Sequence, residues 1–182
     1  TQVLAVSAAD AERFRGLFPA ARVSVMPNMK FDRLPAAPLE TPAPGALQAL
    51  FPSGSPLVVL GSVRAEEEEA AARLLGRLRQ ARPEAVIALF PRHLHRLPAW
   101  QARLTSDRAP WVLRSRAQAP VTPGTVLLWD VFGELDQAYR LAATAFVGGS
   151  LAPLGGQNFL EPLAWGVVPV IGPFWETFTW VG

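Results

Sequence analysis

From residue 57 onward the chain alternates short apolar runs with longer segments whose apolar residues recur at helical spacing. Strands are expected at 57–60, 85–90, 111–113, 126–129, 145–147 and 168–171, with helices at 66–82, 99–104, 134–143 and 158–165. In the helix at 66–82 the stripe is Ala70, Leu74, Leu75 and Leu78. Strands that alternate with helices imply an α/β fold, a parallel sheet covered on both faces. Ligands of such sheets bind beyond the carboxyl ends of the strands. Four loops there carry suitable residues: Gly61-Ser62, Pro91-Arg92-His93, Asp130 to Glu134, and Gly148-Gly149-Ser150.

The preceding third reads differently. Strands are expected at 3–6 and 23–26, with a helix at 8–18 that Ser7 caps and Asp10 favours by its charge in the first turn. Residues 33–56 are rich in proline and read as a semi-rigid linker, with one short helix at 45–51. The chain starts and stops within apparent elements, so it is expected to be part of something longer.

Half of the 182 residues are apolar, enough for a sizeable core. A formal charge of +2 is too small to argue for nucleic acid, although the pI is about 9.9. No cysteine is present, which excludes disulfides, zinc–thiolate sites and a cysteine nucleophile. With His93 and His95 as the only histidines and no clustered carboxylates, no metal site is expected. Neither a signal peptide nor an apolar run of about 18 residues is visible.

The residues with most chemical content lie at 146–162, where a strand enters the glycine-rich sequence Gly148-Gly149-Ser150 through Gly155-Gly156 and then a helix. Glycine lets a ligand approach the backbone, and a helix N-terminus offers N–H groups to a phosphate. Asn158 and Glu161 either form an N-cap with its partner carboxylate or hold a ligand, Glu161 through two ribose hydroxyls. Arg92 offers paired donors to a phosphate or is a solvated surface residue. His93 donates to phosphate or sugar oxygens or is structural. The backbone at Gly133-Glu134 suits an anion or a base edge, or Glu134 merely complements the helix dipole. Lys30, the only lysine, contacts an anion or is solvated. The run Glu66 to Glu69 is expected to be a solvated helix start. There is no G-x-x-x-x-G-K-[ST] loop, no G-x-G-x-x-G fingerprint and no G-x-S-x-G elbow around Ser150.

Phe146 to Leu151, Gly155-Gly156-Gln157-Asn158 and Leu160-Glu161-Pro162 together resemble the 3-deoxy-D-manno-octulosonic acid (Kdo) transferases. Pro91-Arg92-His93, Asp130 with Gly133-Glu134-Leu135, and Gly166, Pro169, Val170, Gly172 and Pro173 extend the resemblance in order. Upstream, Ser7, Asp10 to Phe14 and Asn28 to Asp32 resemble the end of that family's first domain.

The resemblance implies a GT-B glycosyltransferase that moves Kdo from CMP-Kdo to a lipid A precursor at the cytoplasmic face of the inner membrane. It uses no metal or other cofactor. Residues 1–32 would end the acceptor domain, 33–56 would link the domains, and 57–182 would form the Rossmann-like C-terminal donor domain without its closing helices. Arg92 would meet the CMP phosphate, with His93 beside it. Gly133 and Glu134 would line the nucleotide pocket, and Gly155, Gly156, Asn158 and Glu161 would hold phosphate or ribose. Lys30 maps onto the interdomain segment. The catalytic carboxylate and the membrane anchor would lie upstream of Thr1, leaving this chain without transfer activity and with weak CMP or CTP binding.

The sequence departs from the family at Gln157, at Ser62-Val63-Arg64 and at Thr177. Two other readings stand beside this one: another GT-B enzyme, a UDP-sugar transferase or 2-epimerase, or a non-catalytic module that docks through Trp165, Phe174, Trp175 and Trp180.

Overall fold

The computed structural model describes residues 1–29 and 45–181. The chain divides into two units, Thr1–Ala36 with Thr179–Gly182, and Ala37–Phe178. Lys30 and the proline-rich stretch up to residue 44 lie outside the described residues.

In the first unit β1 (Gln2–Ala5) pairs in parallel with β2 (Arg22–Val25), joined by α1 (Ala8–Leu17). Ser7 begins the helix as expected. Its Oγ accepts the Asp10 N–H at 3.1 Å and donates to Asp10 Oδ2 at 2.7 Å. Ala5 and Ala11 are buried between strand and helix, whereas Leu4, Val25 and Met29 remain exposed.

The second unit opens with the single turn α2 (Gly45–Gln48). There follow β3 (Leu57–Val63), α3 (Glu68–Ala81), β4 (Val86–Pro91), α4 (Leu97–Ser106), β5 (Trp111–Leu113), β6 (Val126–Leu128), α5 (Leu135–Leu141), β7 (Thr144–Val147), α6 (Leu160–Ala164) and β8 (Pro169–Val170). The strands form one parallel sheet in the order β5-β6-β4-β3-β7-β8. This is the α/β architecture that the alternation of apolar runs implies.

Strand residues alternate between two cores. Val58, Leu60, Ile87, Leu89, Val126 and Leu128 pack with Ala71 and Leu75 of α3 and Trp100 and Leu104 of α4. Leu57, Val59, Val86, Ala88, Leu127 and Trp129 pack on the other face with Leu47 and Leu50 and with Ala138 and Tyr139 of α5. A strand buried on both sides is apolar throughout, which is why these runs show no polar alternation.

Three boundaries differ from expectation for physical reasons. β3 continues beyond residue 60 because its pairing with β4 resumes at Val63 after a register shift. The segment before α3 is a tight 3-10 turn, Ala65–Glu67, closed by the Glu67 side chain accepting the Arg64 N–H at 3.1 Å. Helix α6 is shorter than 158–165. Pro162 has no N–H to bond back to Asn158, so Asn158 and Phe159 stay outside.

The chain runs outward from β3 through β4 to β5 at the edge, comes back to insert β6 between β5 and β4, then crosses to lay β7 on the other side of β3. The sheet therefore changes direction between β3 and β7, the position where open α/β sheets form a crevice.

Candidate functional site

Four neighbouring strands, β6, β4, β3 and β7, end beside one another at the segments that the sequence singles out, but Gly61 and Ser62 lie inside β3, at its register shift, and not in a loop after it. At the usual strand spacing these ends span roughly 14 Å, enough for a nucleotide and an attached sugar laid across them.

A cleft of about 120 Å³ opens among the first three of these ends, lined by Ser62, Phe90, Pro91, Arg92, Leu94, Trp129, Val131, Phe132, Gly133 and Leu135. Phe90 and Trp129 stack at 4.2 Å between centroids, tilted by 20°, and both are buried. The Arg92 backbone N–H donates to the Val63 carbonyl at 2.8 Å. Its guanidinium, by contrast, is exposed and has no partner among the described residues. His93 does not line the cleft; it is exposed and stacks on His95 at 5.5 Å.

Gly133 lies on the cleft with φ +85°. The Glu134 carboxylate does not line it. Arg114 Nε and Nη2 each donate to Glu134 at 2.9 Å, and Trp129 Nε1 donates at 3.1 Å. The Arg114 guanidinium also lies 5.7 Å from the Trp129 ring centre. Beside it, the Ser115 N–H and hydroxyl donate to the two oxygens of Asp130 at 2.9 and 2.5 Å. The end of β5 thus clamps the β6 loop at both carboxylates. Glu134 acts on the cleft by holding its wall, and Arg114 was missed because nothing in the sequence joins it to a residue twenty positions away.

The glycine-rich loop after β7 is where expectation and structure part. A Cβ on Gly148 would strike the Ser62 carbonyl, so the end of β3 and the β7 loop touch through backbone alone. The N–H groups of Gly149, Ser150 and Leu151 converge on the Glu67 carboxylate at 2.6, 2.8 and 2.7 Å. Glu67 is only 1% exposed, which corrects the expectation that residues 66–69 are a solvated helix start. Its neighbours do face water or pair at the surface, Glu68 with Arg96 and Glu69 with Arg103. Ser150 is equally buried; its hydroxyl donates to the Val147 carbonyl and accepts the Gly172 N–H, so it is no nucleophile.

Gly155 and Gly156 adopt φ of +81° and +85° and carry the chain from this loop toward α6. Gly156 N–H donates to the Gly149 carbonyl at 2.7 Å and Gln157 N–H to the Gly148 carbonyl at 3.1 Å. Thr177 N–H donates to the Gly155 carbonyl, also at 3.1 Å. Asn158 Nδ2 then donates to Glu161 Oε1 at 3.1 Å, and Asn158 Oδ1 accepts the Leu160 N–H at 3.3 Å. The N-cap reading is corrected: Phe159 is the N-cap and has no side-chain cap, while Asn158, one residue earlier, turns the chain toward the helix and orients the Glu161 carboxylate. Near it, burial first, and the Glu161 and Asp136 charges next, push the Tyr139 phenol above its ordinary range. Among the described residues no group of three or more His, Cys, Asp or Glu side chains could hold a metal ion. No described helix is long and apolar enough to cross a membrane.

No family model matches the chain. Among curated proteins it is 36% identical over 155 residues to the 3-deoxy-D-manno-octulosonic acid transferase of Bordetella pertussis, covering 82% of this chain and 35% of that protein. It is 30% identical to the same-named enzyme of Haemophilus influenzae, covering 85% and 36%. The chain thus spans about a third of the length of these relatives. Among solved structures it matches the crystal structure of the C-terminal CMP-Kdo binding domain of WaaA from Acinetobacter baumannii, with a TM-score of 0.68 and 30% identity. That match covers 76% of this chain and 72% of the other. Like its relatives in sequence and in the parallel sheet that carries the site, the chain belongs to the 3-deoxy-D-manno-octulosonic acid transferase family.

Proposed function

We propose that this chain is the donor-binding part of a Kdo transferase, holding CMP-Kdo while the full-length enzyme transfers the sugar to a lipid A precursor. In this reading residues 1–32 belong to the acceptor domain, 33–56 link the domains, and 57–182 form the donor domain. The full-length protein works in lipopolysaccharide synthesis at the cytoplasmic face of the bacterial inner membrane. The acceptor-activating base is assigned to the acceptor domain and to no residue of this chain, so the chain alone transfers nothing.

The observation that carries the reading is the Arg92 guanidinium, without a partner among the described residues, at a cleft that Phe90 and Trp129 line. A cleft of about 120 Å³ is smaller than the roughly 300–1,000 Å³ of sites that swallow a whole ligand. It takes one moiety, the cytosine ring, between the apolar wall and the Gly133 backbone, with Arg92 on the phosphate. The rest of the donor extends along the strand ends toward Gly155, Gly156, Asn158 and Glu161, where the carboxylate accepts sugar hydroxyls. Lys30 and His93 are assigned to the donor by family resemblance alone. In the transfer step the departing CMP gains negative charge, and Arg92 stabilises it.

Titration with CMP, UMP and AMP, followed by tryptophan fluorescence through Trp129 and by calorimetry, tests this. Saturable binding selective for CMP is expected. Preference for UMP would move the chain to the UDP-sugar enzymes that share the fold, and binding of none of the three would reject the donor-binding reading for this chain.

A further inference from the structure

The turn from Gly149 to Leu151 points three backbone N–H groups at one spot, the geometry with which a chain binds an anion. It lies at the reversal point between β3 and β7, where a ligand's phosphate is ordinarily sought. The spot is filled by the chain itself. Glu67 Oε2 accepts from Gly149 and from Arg64, and Oε1 accepts from Ser150 and Leu151, so four backbone donors surround one buried carboxylate.

We infer that Glu67 is a positioning residue of the donor site, an internal anion that fixes the β7 loop against the β3 loop. This rests on the donor-binding reading. The mechanical link is short. Gly149 and Gly148, whose amide planes Glu67 sets, accept through their carbonyls from Gly156 and Gln157, the residues that lead directly into Asn158. The Arg64 end of the same carboxylate holds the loop that places Ser62 on the cleft. One side chain thereby sets the spacing between the two ends of the donor site. A second consequence is chemical: these three N–H groups are spent, so the donor's phosphate is held by Arg92 and not by the glycine-rich turn.

The first test needs no substitution. Scalar couplings across hydrogen bonds are expected between the amide nitrogens of Gly149, Ser150 and Leu151 and the Glu67 carboxylate carbon, and their absence would overturn the proposal. Glu67→Ala leaves a hollow of carboxylate shape, whereas Glu67→Gln turns an amide NH₂ toward N–H donors. Both variants are expected to keep the wild-type far-UV circular dichroism and to bind CMP about tenfold more weakly. Added formate is expected to return both the amide shifts and the affinity in Glu67→Ala, and to do neither in Glu67→Gln, whose side chain blocks the hollow. General destabilisation would give no such selective rescue. Wild-type affinity in either variant, failure of formate, or unfolding of both variants would overturn the positioning role. Failure of the wild-type chain to bind CMP would instead overturn the donor-binding reading. The couplings and the formate-dependent amide shifts would still decide whether Glu67 sets the loop.

Discussion

Arg114, just after β5, and Glu134, at the start of α5, face each other through two parallel hydrogen bonds of 2.9 Å, fork to fork. Both side chains are about a fifth exposed, so the pair is shielded from water without being sealed from it. Arg114→Ala would leave the carboxylate with Trp129 Nε1 as its remaining partner among the described residues. A loss of about 2 kcal/mol of stability is expected, between the value for a surface pair and that for a fully buried one. Urea denaturation of the single variants and of the Arg114→Ala/Glu134→Ala pair measures it. Additive losses would show that the two residues act independently.

Arg92 is the opposite case, a guanidinium with no partner among the described residues, whose removal should leave the fold untouched. Arg92→Ala is expected to unfold at the wild-type urea concentration while binding CMP about 10- to 100-fold more weakly, the worth of a charge-assisted phosphate contact. Arg92→Lys should recover part of the affinity, since it keeps the charge and loses the fork. Unchanged affinity in Arg92→Ala would remove the main support for the cleft as the nucleotide site.

The sheet was readable because its strands are continuous apolar runs bounded by helices, and no tertiary detail was needed to see that Leu57 to Leu60 or Val86 to Phe90 must be buried. The Ser7 cap was readable for the same reason: its partner is three residues away. Glu67 was not. It sits in a run of four glutamates at a helix start, where local charge logic assigns all four to solvent, and what buries one of them is a loop more than eighty residues downstream. Arg114 is a milder case, since it follows a strand like the other site residues but carries no motif. Pro162 did carry a local signal for the late start of α6, its missing N–H, but the expected helix at 158–165 passed over it.

Two glycines give opposite predictions for the same substitution. At Gly61 a Cβ would collide with the Tyr139 hydroxyl, whose ring is fixed in the core, so Gly61→Ala should lose about 2 kcal/mol or more. Gly76 lies within α3 with open space around it, so Gly76→Ala should gain roughly 0.5–1 kcal/mol from helix propensity. Thermal unfolding of the two variants decides. Destabilisation by Gly76→Ala would mean that α3 packs against something at that position.

Tyr139 is the only tyrosine, so its ionisation can be read directly from tyrosinate absorbance. The side chain is 1% exposed, and burial, reinforced by the negative charges of Glu161 and Asp136, raises its pKa well above the ordinary 10.0. The unfolded chain therefore releases this proton at lower pH than the folded one. Its contribution to stability is complete below about pH 10 and declines as the pH climbs from there toward the folded value. Tyrosinate should accordingly be absent from the native chain just above pH 10 and appear together with unfolding, in one step with the loss of far-UV circular dichroism. Tyr139→Phe should flatten this alkaline limb of the stability profile. A tyrosinate signal that rises near pH 10 while the fold persists would show the phenol to be open to solvent.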